Sequence, residues 1–183
     1  MRRSCRDRVV ANSLAMAEER NEREYGATAP SGGIWASPQE WEARRSPAQC
    51  PVCLDGGPNN VLVEFDASVA CAGTIGPLPG YVCVVARRHV VEPFDLPEPE
   101  RSQFWSECML VGRALNVLYQ PAKINYEIHG NTMPHLHMHI HPRFAGDPYV
   151  GGTITHRASF QRTPEDLALI EDAIRREQDV RSH

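Results

Sequence analysis

Four of this chain's eight histidines fall at alternate positions of one stretch, "HLHMHIHPR", as His135, His137, His139 and His141. Leu136, Met138 and Ile140 occupy the gaps. Strict polar/apolar alternation is the period of a β-strand, whose successive side chains point to opposite faces. The spacing therefore predicts a strand with four imidazoles on one face and Leu, Met and Ile packed into a core on the other. Same-face neighbours lie roughly 6.6 Å apart at Cα, so two adjacent rings can share an ion. His135 and His141, roughly 20 Å apart on the same arithmetic, cannot. At least two rings must do something else. With His135 drawn into a metal site at the strand's start, His137 and His139 are left facing a cavity.

A neutral imidazole, with an ordinary pKa of about 6.5, is a good nucleophile at neutral pH and can attack phosphorus to give a phosphoramidate. A second imidazole beside it can position a phosphate oxygen or give a proton to a leaving group. Just upstream, "HGNT" offers Gly130 for close backbone approach and Asn131 and Thr132 as donors to phosphate oxygens. The same four residues also suit an ordinary hairpin turn.

A second cluster is "CPVC", Cys50 to Cys53. Two thiolates at this spacing are half of a tetrahedral zinc site. Pro47 before the pair and Gly56, Gly57 and Pro58 after it favour a metal knuckle over a redox pair, which usually opens a long helix in a βαβ setting. No second C-x-x-C is present, so the other ligands must be histidines. His89, in "ARRHVVEP", and one ring of the histidine strand are candidates. A redox pair and two inert thiols remain the alternatives.

The elements that must position these groups are legible from the same patterns. "VLVEF" (61–65), "SVACA" (68–72), "GYVCVVA" (80–86) and "KINYEI" (123–128) read as strands bounded by turn residues, with the histidine strand the fifth. "PEPERSQFWSECMLVGRALNVLYQP" is the clearest helix, with Phe104, Trp105, Cys108, Gly112, Leu115 and Tyr119 close to one stripe and Pro121 ending it. In "SPQEW", Ser37 caps a short helix with Pro38 at its first position. "TPED" opens a last helix over 164–178, with Leu167, Ile170 and Ile174 inward. Neighbouring antiparallel strands with grouped helices give an α+β fold. Residues 1–36 read as a helical extension (5–25) and linker, and 37–183 as one domain.

The 183 residues suffice for one domain with a real core. A net charge of −4 argues against a general nucleic-acid binder, although a cluster such as Arg87, Arg88 and Arg143 would suit a small anion. No apolar run approaches the roughly 20 residues that span a bilayer, and "VVANSLAMAEER" turns charged too soon for a signal peptide. Cys71, Cys83 and Cys108 read as small buried hydrophobes, which suits a reducing cytoplasm.

"HLHMHIHPR" resembles the signature of the histidine triad (HIT) superfamily. The resemblance runs through "GPLPGYVCVVARRHVVEPFDL", the long helix and "KINYEIHGN", roughly residues 48 to 145. It implies an α+β fold with a five-stranded antiparallel sheet, commonly paired as a homodimer. It also implies nucleotidyl hydrolysis or transfer through a covalent nucleotidyl-histidine. Carried over by position, His137 is the nucleophile and His139 its phosphate-contacting neighbour. Gly130, Asn131, Thr132 and Arg143 join His139 in contacting the substrate, Asn131 and Thr132 standing where members contact the phosphates. His135 becomes the fourth ligand of a structural zinc, beside Cys50, Cys53 and His89. The chain departs from the pattern at Gly73, where many members carry an acidic residue for the ribose hydroxyls. It departs again at His141, where an apolar residue is usual and which reads as an exposed strand end.

The leading expectation is therefore a hydrolase or nucleotidyltransferase acting on a nucleoside phosphate ester, anhydride or phosphoramidate. The alternatives are a nucleotide-binding protein without turnover and a metal-dependent hydrolase whose ion sits on the histidine strand.

Overall fold

The computed structural model describes residues 37–149, 151–154 and 160–181. The helix expected over 5–25 and its linker lie outside the described residues.

A five-stranded antiparallel sheet organises the domain: β1 (Val61–Glu64), β2 (Ser68–Cys71), β4 (Val82–Ala86), β5 (Lys123–Glu127) and β6 (His137–Arg143), in the order β1-β2-β4-β6-β5. β3 (Ile75–Gly76) and β7 (Phe160–Gln161) form a separate two-stranded sheet, which the sequence patterns did not indicate. Three helical pieces lie near the cysteine pair or at its entrance: α1 (Pro38–Arg44), a 3-10 turn (Pro47–Gln49) and the single turn α2 (Pro51–Leu54). The long helix α3 runs Glu100–Tyr119 and the last helix α4 Pro164–Arg181, three residues beyond the end expected at 178.

Local chemistry fixes the ends. Ser37 accepts a hydrogen bond from the Glu40 amide at 3.3 Å and Pro38 fills the first position of α1. Thr163 and Asp166 cap α4 reciprocally: the Asp166 amide donates to Thr163 Oγ1 at 3.2 Å and the Thr163 amide to Asp166 Oδ2 at 2.9 Å. α3 stops at Gln120, which turns left-handed (φ 45°) before Pro121.

Alternation along β6 divides the sheet as expected. Met138 and Ile140 are 1% and 0% exposed and join Val82, Val84, Phe104, Val111 and Leu115 in the core beneath α3. Burying each such side chain contributes about 1.5–3 kcal/mol. The histidine face is the other one. The register pairs Val85 with His137, Cys83 with His139 and Glu127 with His139, so β4 and β5 flank the histidines on both sides. Gly80 permits the tight entry to β4. It sits at φ +73°, and a Cβ there would stand 2.5 Å from the Tyr119 ring.

The strand itself begins two residues later than the alternation suggests. His135 precedes β6, and the strand extends instead through Arg143.

Candidate active site and metal centre

The sequence places Cys50 at the N-cap of α2 and Cys53 three residues on, so one helical turn turns both thiols to one side. His89 and His135 arrive by backbone pairing. The Leu136 amide donates to the Val90 carbonyl at 2.7 Å and the Ala86 amide to the Leu136 carbonyl at 3.0 Å. The two segments are thus zipped together and the rings meet edge to face, 5.0 Å between centroids.

Cys50, Cys53, His89 and His135 bring all four ligand atoms within 4.8 Å of one another. His135 Nδ1 lies 3.5 Å from Cys50 Sγ, 3.7 Å from Cys53 Sγ and 3.2 Å from His89 Nδ1, and Cys53 Sγ lies 3.4 Å from His89 Nδ1. A tetrahedral ion about 2.3 Å from sulfur and about 2.0–2.1 Å from nitrogen requires ligand–ligand edges of roughly 3.3–3.8 Å. The four edges of 3.2–3.7 Å fit such an ion, and the remaining two lie within 4.8 Å.

Both rings are also presented in the right tautomer. His89 Nε2–H donates to the Arg45 carbonyl at 2.7 Å and His135 Nε2–H to the Ala86 carbonyl at 2.8 Å. Each leaves its Nδ1 lone pair to the cluster, the arrangement that orients histidine ligands. Burial holds the His135 pKa below its ordinary value and favours the neutral ring a ligand needs. Burial and the neighbouring Cys50 push the Cys53 thiol up to about 11. Two thiols packed side by side resist ionisation unless a cation lies between them.

Two residues on, the chain serves a second purpose. His137 is partly buried on β6, and its Nδ1–H donates to the His135 carbonyl at 2.6 Å. That bond fixes the tautomer and makes Nε2 the basic nitrogen of the ring. Burial, reinforced by His129, lowers the His137 pKa against the opposing pull of the carbonyl. The ring is therefore neutral at pH 7, the form that attacks an electrophile.

His139 stands beside it, edge to face at 4.8 Å. Its Nδ1 lies 2.7 Å from the Tyr81 hydroxyl. His129, on the connection between β5 and β6, comes to 5.9 Å of the His139 ring and bonds Glu127 Oε2 through Nε2 at 3.0 Å. The His129 bond keeps the Glu127 carboxyl below its usual range, although burial works the other way. Gly130 (φ +67°), Asn131 and Thr132 lie on this same connection, the last two exposed. At the departure noted in the sequence, the Asn60 amide nitrogen lies 3.4 Å from where a Cβ on Gly73 would stand.

Two expectations are corrected. His141 is not an exposed strand end but fully buried, with its ring stacked on Tyr81 at 4.8 Å. Arg143, expected to contact substrate, is buried at the far end of β6. It pairs with Asp147 through two bonds of 2.7 and 3.0 Å and donates to the Gly152 carbonyl at 3.0 Å. It lies six residue steps along the strand from His137, roughly 20 Å. Tyr81, Glu127 and His129 carry no spacing signal of their own: Tyr81 reaches His139 from the turn before β4, His129 from the loop before β6, and Glu127 pairs with His139 in register and bonds His129.

Comparison with known proteins agrees with this geometry. The HIT domain family matches residues 56–146. The chain is 33% identical over 95 residues to the bifunctional bis(5'-adenosyl)-triphosphatase/adenylylsulfatase FHIT of Arabidopsis thaliana, covering 49% of this chain and 53% of that relative. It thus spans about half the relative's length. The crystal structure of a histidine triad protein from Bradyrhizobium japonicum superimposes with a TM-score of 0.58 at 26% identity, over 64% of this chain and 88% of that one. A Zn-bound histidine triad family protein from Mycobacterium smegmatis, 20% identical, shares the fold with a TM-score of 0.55 over 74% of this chain and 99% of that one. Fold and site together define a histidine triad protein. The chain belongs to the histidine triad superfamily.

Proposed function

We propose that this protein is a nucleotide hydrolase or nucleotidyltransferase that works through a covalent nucleotidyl-histidine at His137. The observation that carries the reading is the 2.6 Å bond from His137 Nδ1–H to the His135 carbonyl. It directs the Nε2 lone pair outward and supplies an acceptor for the charge the ring gains on attack.

In the first step the His137 Nε2 lone pair attacks phosphorus and forms the N–P bond. The bond from phosphorus to the leaving group breaks, and its electron pair departs with that group. The ring, now bonded to phosphorus at Nε2 and protonated at Nδ1, is cationic, and the His135 carbonyl stabilises it. His139 donates a hydrogen bond to a phosphate oxygen or, as the imidazolium, gives a proton to the departing group. In the second step the oxygen of water, or of a phosphate acceptor, attacks phosphorus and the N–P electron pair returns to Nε2. An attacking water releases its proton to solvent in the process. Gly130, Asn131 and Thr132 lie on the loop that approaches His139, which supports a role for them in holding the phosphates.

Cys50, Cys53, His89 and His135 would hold one zinc ion, for which the sulfur and nitrogen donors and their spacing are suited. With all four positions taken by protein, its contribution is to tie α2 and the His89 turn to the start of β6. The absence of an assigned catalytic role for the ion separates this reading from a metal-dependent hydrolase. The relative from Arabidopsis, named for cleavage of bis(5'-adenosyl) triphosphate and adenylylsulfate, supports nucleotides with an activated phosphate as the substrate class. The homodimer and the cytoplasmic setting expected from the sequence belong to the same reading. Among the described residues, no helix is long and apolar enough to cross a membrane.

The test is turnover of a panel of adenylylated compounds (a dinucleoside polyphosphate, an adenosine phosphoramidate, adenylylsulfate) by the wild type and by His137→Asn. Release of AMP from at least one of them, lost in the variant, is the expected result. Nucleotide binding without turnover would favour the binding-protein alternative.

A further inference from the structure

Tyr81 follows the Pro79-Gly80 turn and belongs to neither the histidine strand nor the metal cluster. Its ring is nevertheless held on both sides. His141 stacks against it at 4.8 Å with an interplanar angle of 16°, and the Arg162 guanidinium lies 5.8 Å from its centroid. Arg162 is itself 3% exposed and donates to the Tyr81 carbonyl at 2.5 Å and the Ile75 carbonyl at 3.2 Å. Gly76 makes room for it: a Cβ there would stand 2.8 Å from the guanidinium. The turn, β3, the segment after β7 and the last histidine of β6 thus converge on one aromatic ring, and the ring's hydroxyl points at His139 Nδ1 from 2.7 Å.

The direction of that bond follows from the chemistry. A phenol has one proton to give, and an imidazole nitrogen is a better acceptor than the thiol of nearby Cys83. Burial, with Cys83 and Cys71 adding to it, raises the Tyr81 pKa above its ordinary value and keeps the hydroxyl protonated. A neutral imidazole that accepts at Nδ1 carries its hydrogen at Nε2.

We propose that Tyr81 is a positioning residue that donates to His139 Nδ1 and locks the neutral ring as the Nε2–H tautomer, a hydrogen-bond donor toward the phosphate of the substrate. The other tautomer would present an Nε2 lone pair to phosphate oxygens and repel them. No bond is made or broken at Tyr81. The tautomer rests on this bond and on the chemistry of its two partners; its effect on turnover rests on the reading under Proposed function.

Tyr81→Phe removes only the oxygen and keeps the stacked ring. The first measurement is the nitrogen-15 and proton correlation spectrum of the histidine rings in ligand-free, metal-replete protein at neutral pH. Neutral His139 is expected as the Nε2–H form in the wild type and as a mixture in Tyr81→Phe. The second is steady-state turnover. Tyr81→Phe should lower kcat/KM about tenfold, the worth of one hydrogen bond, and change it less than twofold in a His139→Asn background. A wild-type His139 in the Nδ1–H form overturns the proposal, and needs no variant to fold. Equal losses in both backgrounds also overturn it, since they would make Tyr81 a general support of the fold. If the wild type turns over no nucleotide, the proposed function fails while the tautomer spectrum still decides this inference.

Discussion

His135 faces two ways: its ring belongs to the metal cluster while its carbonyl oxygen, 2.6 Å from His137 Nδ1, orients the ring read here as the nucleophile. One residue therefore joins the four-residue cluster to the histidine strand. The link follows from strand geometry, because a residue just outside the strand can send its side chain to one neighbour and its carbonyl to another.

The cluster predicts about one zinc per chain in freshly purified, reduced protein. Cys50→Ser should lose metal and thermal stability together, since binding energy in a closed site is folding energy. His137→Asn should keep its full zinc content. Elemental analysis beside thermal denaturation reads both, and a metal-free wild type of unchanged stability would remove the assignment.

His137 and His139 should not be equivalent. His137→Asn removes the proposed nucleophile and should abolish turnover. His139→Asn removes a donor but leaves the attacking nitrogen, so a loss of about 10²-fold is expected. Rates measured on both folded variants would contradict the assignment if the order were reversed.

His141 is expected to matter for stability. Its ring is fully buried against Tyr81, so His141→Ala opens a cavity and should cost about 2–4 kcal/mol in urea denaturation. A change within 0.5 kcal/mol, about what an exposed position gives, would contradict the burial. Complete loss of turnover in a stable His141→Asn would mean that the triad is shifted by two residues along the strand.

Asp147 should carry an acid-sensitive share of stability. Burial alone would raise its carboxyl, but Arg143 and the amides of Tyr149 and Phe144 outweigh it and hold the pKa below the usual carboxylate range. A depressed pKa in the folded state stabilises above the unfolded value, about 3.9, and the gain is lost as pH falls through the folded value. Asp147→Asn, which breaks a buried pair, should therefore cost about 3 kcal/mol at pH 7. The gap to wild type should narrow below about pH 4, because protonation then removes the same charge in the wild type. Denaturant titrations at both pH values check this, and a gap that widens in acid would contradict it.

Periodicity carried the sheet and the long helix because their patterns are local: alternation marks β6, and a stripe of apolar residues marks α3. It could not say where on the histidine face the solvent ends. His141 is covered by Tyr81, held in turn by Arg162 from a segment 21 residues downstream, and nothing near His141 in the sequence signals that cover. Arg143 misled for a related reason. A cation at the end of an anion-binding signature suits phosphate equally well, until the turn after β6 brings Asp147 back against it. The residues of the cysteine–histidine cluster were legible as types, but only the pairing of Leu136 with Ala86 and Val90 puts His89 beside His135. Cross-strand partners such as Tyr81 depend on register, which alternation leaves open by steps of two residues.

The most direct test of the central claim is intact-mass measurement of the protein mixed with an adenosine phosphoramidate and quenched in the first turnovers, with the modified peptide then sequenced. A phosphoramidate bond is formed and discharged at the same nitrogen, so slowing discharge should let the intermediate accumulate. An added adenylyl group on His137 in the wild type, and none in His137→Asn, is the expected result. Turnover with the adduct on another residue, or a folded His137→Asn that releases AMP at near the wild-type rate, would contradict it.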